Sequence, residues 1–355
     1  MLKSALIAGA SLIALTSVAS AADQGYRPMF TAGINRRAPV DIKHPAGTLP
    51  TWTFKWSYDG VKYSAIFVGP KPTKTAAPIT VPTYIIPMKL KYGKFTTDPT
   101  AADYTGNSPI TNTVNSPLFQ TGIDYNQGGT DLGNTQYEDA FQRAVLWKKA
   151  SKDKAGYHVL LGQPTIEPTQ AETVPTNQGG TTTAWGNKVI VANINWFDPI
   201  IEKLLTTLKI PANSLPLFIT TQTYLSSGSI SNCCIGGYHS YTGTQAYSHF
   251  TYISNNSSSA AFSEDVSAGS HEIGEWMDDP LTNNTKVPSR CGIYEVGDPI
   301  EGLTNFGTYP YALNGMTYHL QDLVLPSYFG APEKDNINYN QSFQGTKFSV
   351  CQNGG

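Results

Sequence analysis

Apolar and polar positions alternate along this chain with two periods, about 2 residues in some segments and about 3.6 in others, and the difference separates strands from helices. Residues 52–56 and 61–68 flank Asp59-Gly60, a dipeptide suited to a tight turn, which predicts a β-hairpin. A strand over 84–90, preceded by Ile79-Thr80-Val81, is interrupted by Pro82 and Pro87, and residues without an N–H suit an edge strand or a bend. Residues 96–133 are rich in Thr, Asn, Gly, Asp and Pro and read as a long loop. Asp124 and Asp131 there carry oxygens of the kind calcium uses, but a solvated loop accounts for them more simply. Residues 137–150 place Phe141, Val145 and Leu146 on one helical face, with Lys148 and Lys149 at the C-terminal end. Strands at 159–161, 188–194, 215–224 and 247–253 follow, with a helix at 198–208 capped by Asp198 and carrying Pro199 in its first turn. No internal repeat or linker breaks this succession. Residues 51–355 therefore read as one loop-rich α+β domain, a mixed twisted sheet packed on a central helix.

That central helix is predicted over 263–279. Phe262, Val266, Ile273 and Met277 fall within a sector of about 60°, as an amphipathic helix requires. Ser263 is a candidate N-cap, Glu264 and Asp265 sit in the first turn where carboxylates suit the dipole, and Pro280 stops the helix. Gly274 costs the helix about 1 kcal/mol relative to alanine, so close packing is expected against it. On the opposite face His271 and Glu275 are one turn apart and project together, with Glu272 about 100° round. This is the layout of a zincin helix in which a carboxylate replaces the second histidine. His271 and Glu275 are placed as ligands of a divalent cation, and Glu272 as the general base that takes a proton from water. Glu295 and Asp298 supply the third ligand in one of two ways. Either Glu295 ligates and Asp298 orients the ring of His271, or the roles are reversed.

The remaining histidines are weaker candidates. His239 and His249 lie just upstream of the helix, and each reads first as a satisfied structural side chain and second as a ligand or oxyanion donor. His319, beside Tyr318, follows the site where an oxyanion-stabilising residue is expected. His44 and His158 carry no local pattern. No Gly-x-Ser-x-Gly elbow occurs, which sets Ser/His/Asp hydrolysis aside.

Composition adds the setting. Residues 1–21 carry one basic residue, Lys3, an apolar core over 5–15 and Ala19-Ser20-Ala21 at the end, the layout of a cleaved signal peptide too short to span a bilayer. Residues 22–50 are polar and turn-rich and read as an extended arm. Only 14% of residues are charged, and the 32 glycines, 24 prolines and 20 tyrosines suit a loop-rich extracellular or periplasmic fold. A net charge of −2 gives no electrostatic basis for nucleic acid or an anionic membrane as partner. Four cysteines in an exported chain allow two disulfides. Adjacent cysteines rarely pair, so Cys291 and Cys351 are expected to bond one each to Cys233 and Cys234.

The run Ser270-His271-Glu272-Ile273-Gly274-Glu275 with Asp279-Pro280, then Glu295-Val296-Gly297-Asp298 and Glu301-Gly302, resembles the phosphate-induced (exordium-like) extracellular proteins and their bacterial secreted relatives. Gly237-Tyr238-His239 with the following strand, and Leu313-Asn314-Gly315 with residues 318–322, are similar as well. The resemblance covers roughly the second half of the chain. Pro299 stands where that family usually has a cysteine, and Gly274-Glu275-Trp276 replaces its alanine-rich turn, so its disulfide pattern does not transfer.

Together these residues predict an exported, zincin-like metallopeptidase acting on a peptide or protein. Zinc is the expected cation, with manganese or calcium in reach because two anionic ligands make the site hard. In such folds a strand before the helix runs along the cleft and holds extended substrate by backbone hydrogen bonds, and residues 247–253 are placed for that. The alternative is a non-catalytic extracellular protein that keeps the scaffold to bind a cell-wall component. An open cleft at Glu272 favours the first reading, and a basic group engaging Glu272 favours the second.

Overall fold

The computed structural model describes residues 29–30 and 47–351, apart from 74, 128, 152–155, 256–260, 285, 333–336 and 338–340. The predicted signal peptide, His44 and most of the predicted arm lie outside the described residues.

In chain order, β1 (Met29–Phe30) precedes the hairpin β2 (Thr51–Tyr58) and β3 (Val61–Val68), then β4 (Ile79–Val81), β5 (Thr83–Tyr92) and β6 (Phe95–Thr97). Helix α1 (Pro109–Val114), the hairpin β7 (Ile123–Gln127) and β8 (Thr130–Thr135), and helix α2 (Tyr137–Val145) follow. β9 (Val159–Leu161), β10 (Thr165–Ile166), β11 (Gln170–Thr173), β12 (Gly179–Ala184) and β13 (Asn187–Asn193) lead into α3 (Ile194–Thr207). The last part holds β14 (Leu215–Thr221), β15 (Thr223–Ser226), β16 (Cys233–Thr242), β17 (Gln245–Tyr252), α4 (Ser267–Asp278) and the hairpin β18 (Thr308–Leu313) and β19 (Met316–Gln321).

This is a mixed α+β architecture dominated by strands, with a curled 11-stranded sheet whose spine runs β10-β5-β14-β17-β16-β15-β13-β12. β5, β14 and β17 are parallel neighbours, and β16 returns antiparallel to β17. Alternate residues of each strand enter different cores. Ile86, Ile190, Phe218, Tyr238 and Tyr247 pack with Phe197, Ile201 and Leu205 of α3. Ile85, Val189, Leu217, Ile219 and Phe250 pack with Ile273, Trp276 and Met277 of α4 and Phe141 of α2. A sheet covered on both faces needs near-continuous apolar strands, which is why β14 is buried at every position.

The hairpin around Asp59-Gly60 forms as expected, with Tyr58 opposite Val61. β5 differs: it is internal, paired with β14 on one side. Pro87 sits where the other side changes partner, β10 serving Tyr84 and Ile85 and β11 serving Met88 to Lys91, so its missing N–H falls in a gap of the ladder. Residues 96–133 hold more than a loop. Ser108 caps α1 by accepting from the Thr111 amide with Pro109 in the first turn, and β7 and β8 form a second hairpin. Helix α3 starts a turn earlier than expected because Asn193 caps it through the Asn195 amide. Asp198 lies inside that helix and accepts from Tyr238 and Tyr247 hydroxyls at 3.1 and 2.6 Å. The strand expected over 215–224 is broken at Gln222, whose φ is 46°.

Helix α4 starts at Ser267, later than Ser263 would have it, because Ser263 and Asp265 adopt left-handed φ values of 62° and 41°. Every residue of α4 is buried, the predicted polar face included. The packing expected at Gly274 is present: a Cβ there would lie 2.4 Å from Leu323 Cδ1 and 3.2 Å from Glu138 Oε2.

The disulfides differ from the expected pairing. Cys291 bonds Cys351, and Cys233 bonds its neighbour Cys234. The cause is placement: Cys351 lies against Tyr328, whose carbonyl accepts from its amide at 3.2 Å, while Cys233 and Cys234 open β16 on the sheet. The Cys291–Cys351 bond ties the C-terminal segment to the loop that carries Glu295 and Asp298. Among the described residues no helix is long and apolar enough to cross a membrane.

Candidate metal centre

Helix α4 presents His271, Glu272 and Glu275 toward β16 and toward the loop that follows the helix. Period-2 alternation decides which histidine of the sheet meets them. Tyr238 and His249 are register partners on the α3 face, so His239, one residue on, points the other way. Gly237 shares that face with His239 and leaves room for Glu272, whose Cγ would be 2.7 Å from a Cβ at 237.

His239 Nδ1 lies 3.3 Å from Glu272 Oε2 and 3.5 Å from Glu275 Oε2, and its Nε2 lies 3.1 Å from the carbonyl oxygen of Asp279 and 3.8 Å from Glu295 Oε2. His271 Nε2 lies 3.0 Å from Glu275 Oε1 and 3.5 Å from Asp298 Oδ1. Its Nδ1 meets Gln321 Oε1 at 3.0 Å. The loop closes on the helix at Gly297, whose amide donates to Glu275 Oε1 at 3.0 Å and where a Cβ would lie 2.4 Å from the ring of His271.

Of the predicted ligands, His271, Glu275 and Asp298 bring one donor atom each within 4.8 Å of one another, a spacing that a single cation draws together. Glu295 faces His239 instead. Glu272 stands beside them, engaged by His239. His239, Glu272 and Glu275 form a second such group, and Glu275 belongs to both. His239 was the weaker reading from sequence. The available signal was its place two residues after Gly237 on a strand leading toward the helix. His319 is held elsewhere, its Nδ1 2.6 Å from Asp265 Oδ2, and among the described residues no hydrogen bond or ion pair joins it to this cluster. His249 packs on Phe197 and meets Thr220 Oγ1 at 3.1 Å, and burial pushes it down to about 3, so it is neutral structure. His158 pairs with Asp139 at 2.7 Å.

The strand over 247–253 cannot serve as a substrate platform. β17 is paired with β14 on one side and β16 on the other, so its backbone groups are already satisfied.

The centre is buried, with His239, His271 and Glu272 at 0% exposure, Glu275 at 1% and Glu295 at 2%. Only Asp298 reaches solvent, its side chain 32% exposed while Oδ1 stays enclosed. Burial pushes Glu272 up to about 7, against the pull of His239 and His271. Burial also raises Glu275, but the charges and hydrogen bonds of His271 and His239 outweigh it and hold this carboxyl low. Burial would lower His239, yet Glu272 and Glu275 hold it up to about 10. Glu295 is driven well above the carboxylate range by burial and by Glu275, Asp279 and Asp298. Such a cluster demands positive charge, from protons or from a cation. Glu272 Oε1, Glu275 Oε2, both oxygens of Glu295 and Asp298 Oδ1 are buried and accept no hydrogen bond. Orphaned carboxylate oxygens beside two imidazoles fit a divalent cation of the N/O-liganded kind. No protein-family model, curated protein or solved structure matches this chain, and the reading of the centre rests on its geometry.

Proposed function

We propose that this chain is an exported metal-dependent hydrolase on a zincin-like scaffold, with peptide bonds as its substrate. The observation that carries the reading is the convergence of His271 and Glu275 from α4 with Asp298 from the following loop. Those three residues would hold the cation, zinc first and manganese or calcium next, and two carboxylates with a neutral imidazole balance its charge. A cation bound there supplies Lewis acidity that polarises a carbonyl and acidifies water.

The chain's own groups supply the rest. Gln321 fixes the ring of His271 through Nδ1, and the Gly297 amide fixes Glu275 through Oε1. Glu272 follows the first ligand on the same helix, and its Oε1 is buried without a hydrogen-bond partner, which suits it to take a proton and return it. Asp298 is the member of the cluster with exposed surface, so a substrate would approach from its side. Export is supported by the predicted signal peptide. The resemblance to the phosphate-induced extracellular proteins supports the site more than the reaction.

One observation favours a second reading, a non-catalytic extracellular protein that binds a cell-wall component and keeps the cation for structure. Glu272 has no exposed surface and is engaged by His239. Metal content measured by mass spectrometry, with hydrolysis of an unstructured protein substrate, separates the two. The hydrolase reading requires bound metal in the wild type, and a Glu272→Gln variant that still holds a cation at His271, Glu275 and Asp298 but has lost activity at least about 100-fold. Wild-type protein that holds metal and cleaves nothing supports the second reading. Protein that holds no metal removes the hydrolase reading and leaves a scaffold that binds without a cation.

A further inference from the structure

The cluster contains more acid than one cation balances. Glu272, Glu275, Glu295 and Asp298 are neighbours in a buried space, and the reading above uses only Glu275 and Asp298 as ligands. The two histidines are also held alike. The outer nitrogen of His239 faces the Asp279 carbonyl oxygen at 3.1 Å, and that of His271 faces Gln321 Oε1 at 3.0 Å. The Gln321 amide is oriented by its Nε2 donating to the Gly297 carbonyl at 3.4 Å. Both histidine partners only accept, so each ring carries a hydrogen on its outer nitrogen and turns its inner nitrogen to carboxylates. That is how metal-ligating imidazoles are held, and here it occurs twice, on opposite oxygens of one carboxylate.

We propose that this centre takes two divalent cations bridged by Glu275, one between His271 and Asp298 and a second between His239 and Glu272. His239, Glu272 and Glu275 offer one donor atom each within 4.8 Å, as the first triad does. His239 Nδ1 lies 3.5 Å from Glu275 Oε2, while His271 Nε2 lies 3.0 Å from Oε1, so the carboxylate presents a different oxygen to each position. Independently of that geometry, Glu272 Oε1 and both Glu295 oxygens are buried without a hydrogen bond. Glu295 lies 3.8 Å from His239 Nε2, on the side of the ring away from the second position, and is not one of its ligands. Two divalent cations match the four carboxylates in charge, a balance that protons supply in the metal-free cluster. Mixed imidazole and carboxylate ligands select zinc or manganese, and carboxylate-bridged pairs of such cations are a recurring device for hydrolysis. The inference rests on the first cation position proposed above and adds the second. Glu272 would ligate through Oε2, the oxygen nearer His239, and leave Oε1 without a ligand.

The test is a metal count. Protein stripped by a chelator is titrated with zinc or manganese, desalted, and its bound metal measured by mass spectrometry. Two equivalents are expected in the wild type, one in His239→Gln, one in Asp298→Asn and none in Glu275→Ala. Manganese-loaded wild type is expected to give the exchange-coupled electron paramagnetic resonance spectrum of a pair, and His239→Gln the spectrum of an isolated ion. One equivalent in the wild type, or an unchanged count in His239→Gln, overturns the proposal. If the single equivalent is lost in Asp298→Asn, the first position still stands. A wild type that binds nothing overturns both. Should His239→Gln fail to fold, the wild-type manganese spectrum decides alone, an uncoupled signal at saturation being fatal.

Discussion

Replacing Gly297 with alanine asks whether the loop after α4 holds the imidazole of His271 in place. A Cβ at 297 would lie 2.4 Å from Nδ1, 2.5 Å from Cε1 and 2.7 Å from Cγ of that ring. Comfortable contact begins near about 3.4 Å, so ring or loop must retreat by about 1 Å. Neither moves cheaply. The ring is bonded to Gln321, the loop amide is bonded to Glu275, and His271 has no exposed surface. Overpacking of this kind costs about 1–3 kcal/mol of stability. Displacing groups that orient a ligand weakens metal binding about 10–100-fold, or roughly 1.4–2.7 kcal/mol. Urea unfolding of the metal-free protein measures the first cost, and zinc binding in competition with a chelator measures the second. Gly302→Ala is the matched control, since nothing lies within 4 Å of a Cβ there. It is expected to be neutral or stabilising by up to about 1 kcal/mol. Wild-type stability and zinc affinity in Gly297→Ala would refute the account of how His271 is held.

Gly274→Ala improves helix propensity by about 1 kcal/mol but drives a methyl toward Leu323 Cδ1, 2.4 Å away, so a net loss of up to about 2 kcal/mol in urea is expected. A stabilised variant would show that Leu323 yields. Cys291 and Cys351 close a loop across a sequence separation of 60, and replacing both with serine should cost about 2–4 kcal/mol of stability. Thermal unfolding of the double variant checks this, and an unchanged midpoint would count against a tie between the loop and the C-terminal segment. Burial would lower His319, but its bond to Asp265 and the charges of Asp265 and Glu264 hold it above its ordinary 6.5. A raised pKa of this kind contributes stability that is complete below about 6.5 and lost as pH rises through the folded value. Asp265 is also raised by burial, so its own loss of stability with rising pH begins near its ordinary 3.8, below this window. The fall in urea midpoint from pH 6 to 9 should therefore be shallower in His319→Gln, and equal slopes would reject the pairing.

The helical spacing of His271, Glu272 and Glu275 is local, so it was legible from residue order, and so were the hairpin at Asp59-Gly60 and the need for something close to Gly274. The pairing of Asp298 with His271 was not decided by local rules, because Glu295 and Asp298 sit on the same loop. That loop's direction comes from the Gly297 amide on Glu275 and the Val324 amide on the Val296 carbonyl. Neither bond is signalled by composition.

His239 shows the limit from another side. Alternation in β16 separates Tyr238 from His239, but which face meets α4 depends on the right-left order of β14, β17 and β16 in the sheet. Pairings of that range carry no short period. The same holds for Pro87, whose residue type announced an interrupted ladder, while β10 and β11 made the strand internal. Local chemistry along the chain specifies which side chains can act as ligands, bases and caps. Packing of the whole molecule specifies which of them meet, because burial and charge are settled by neighbours far apart in sequence.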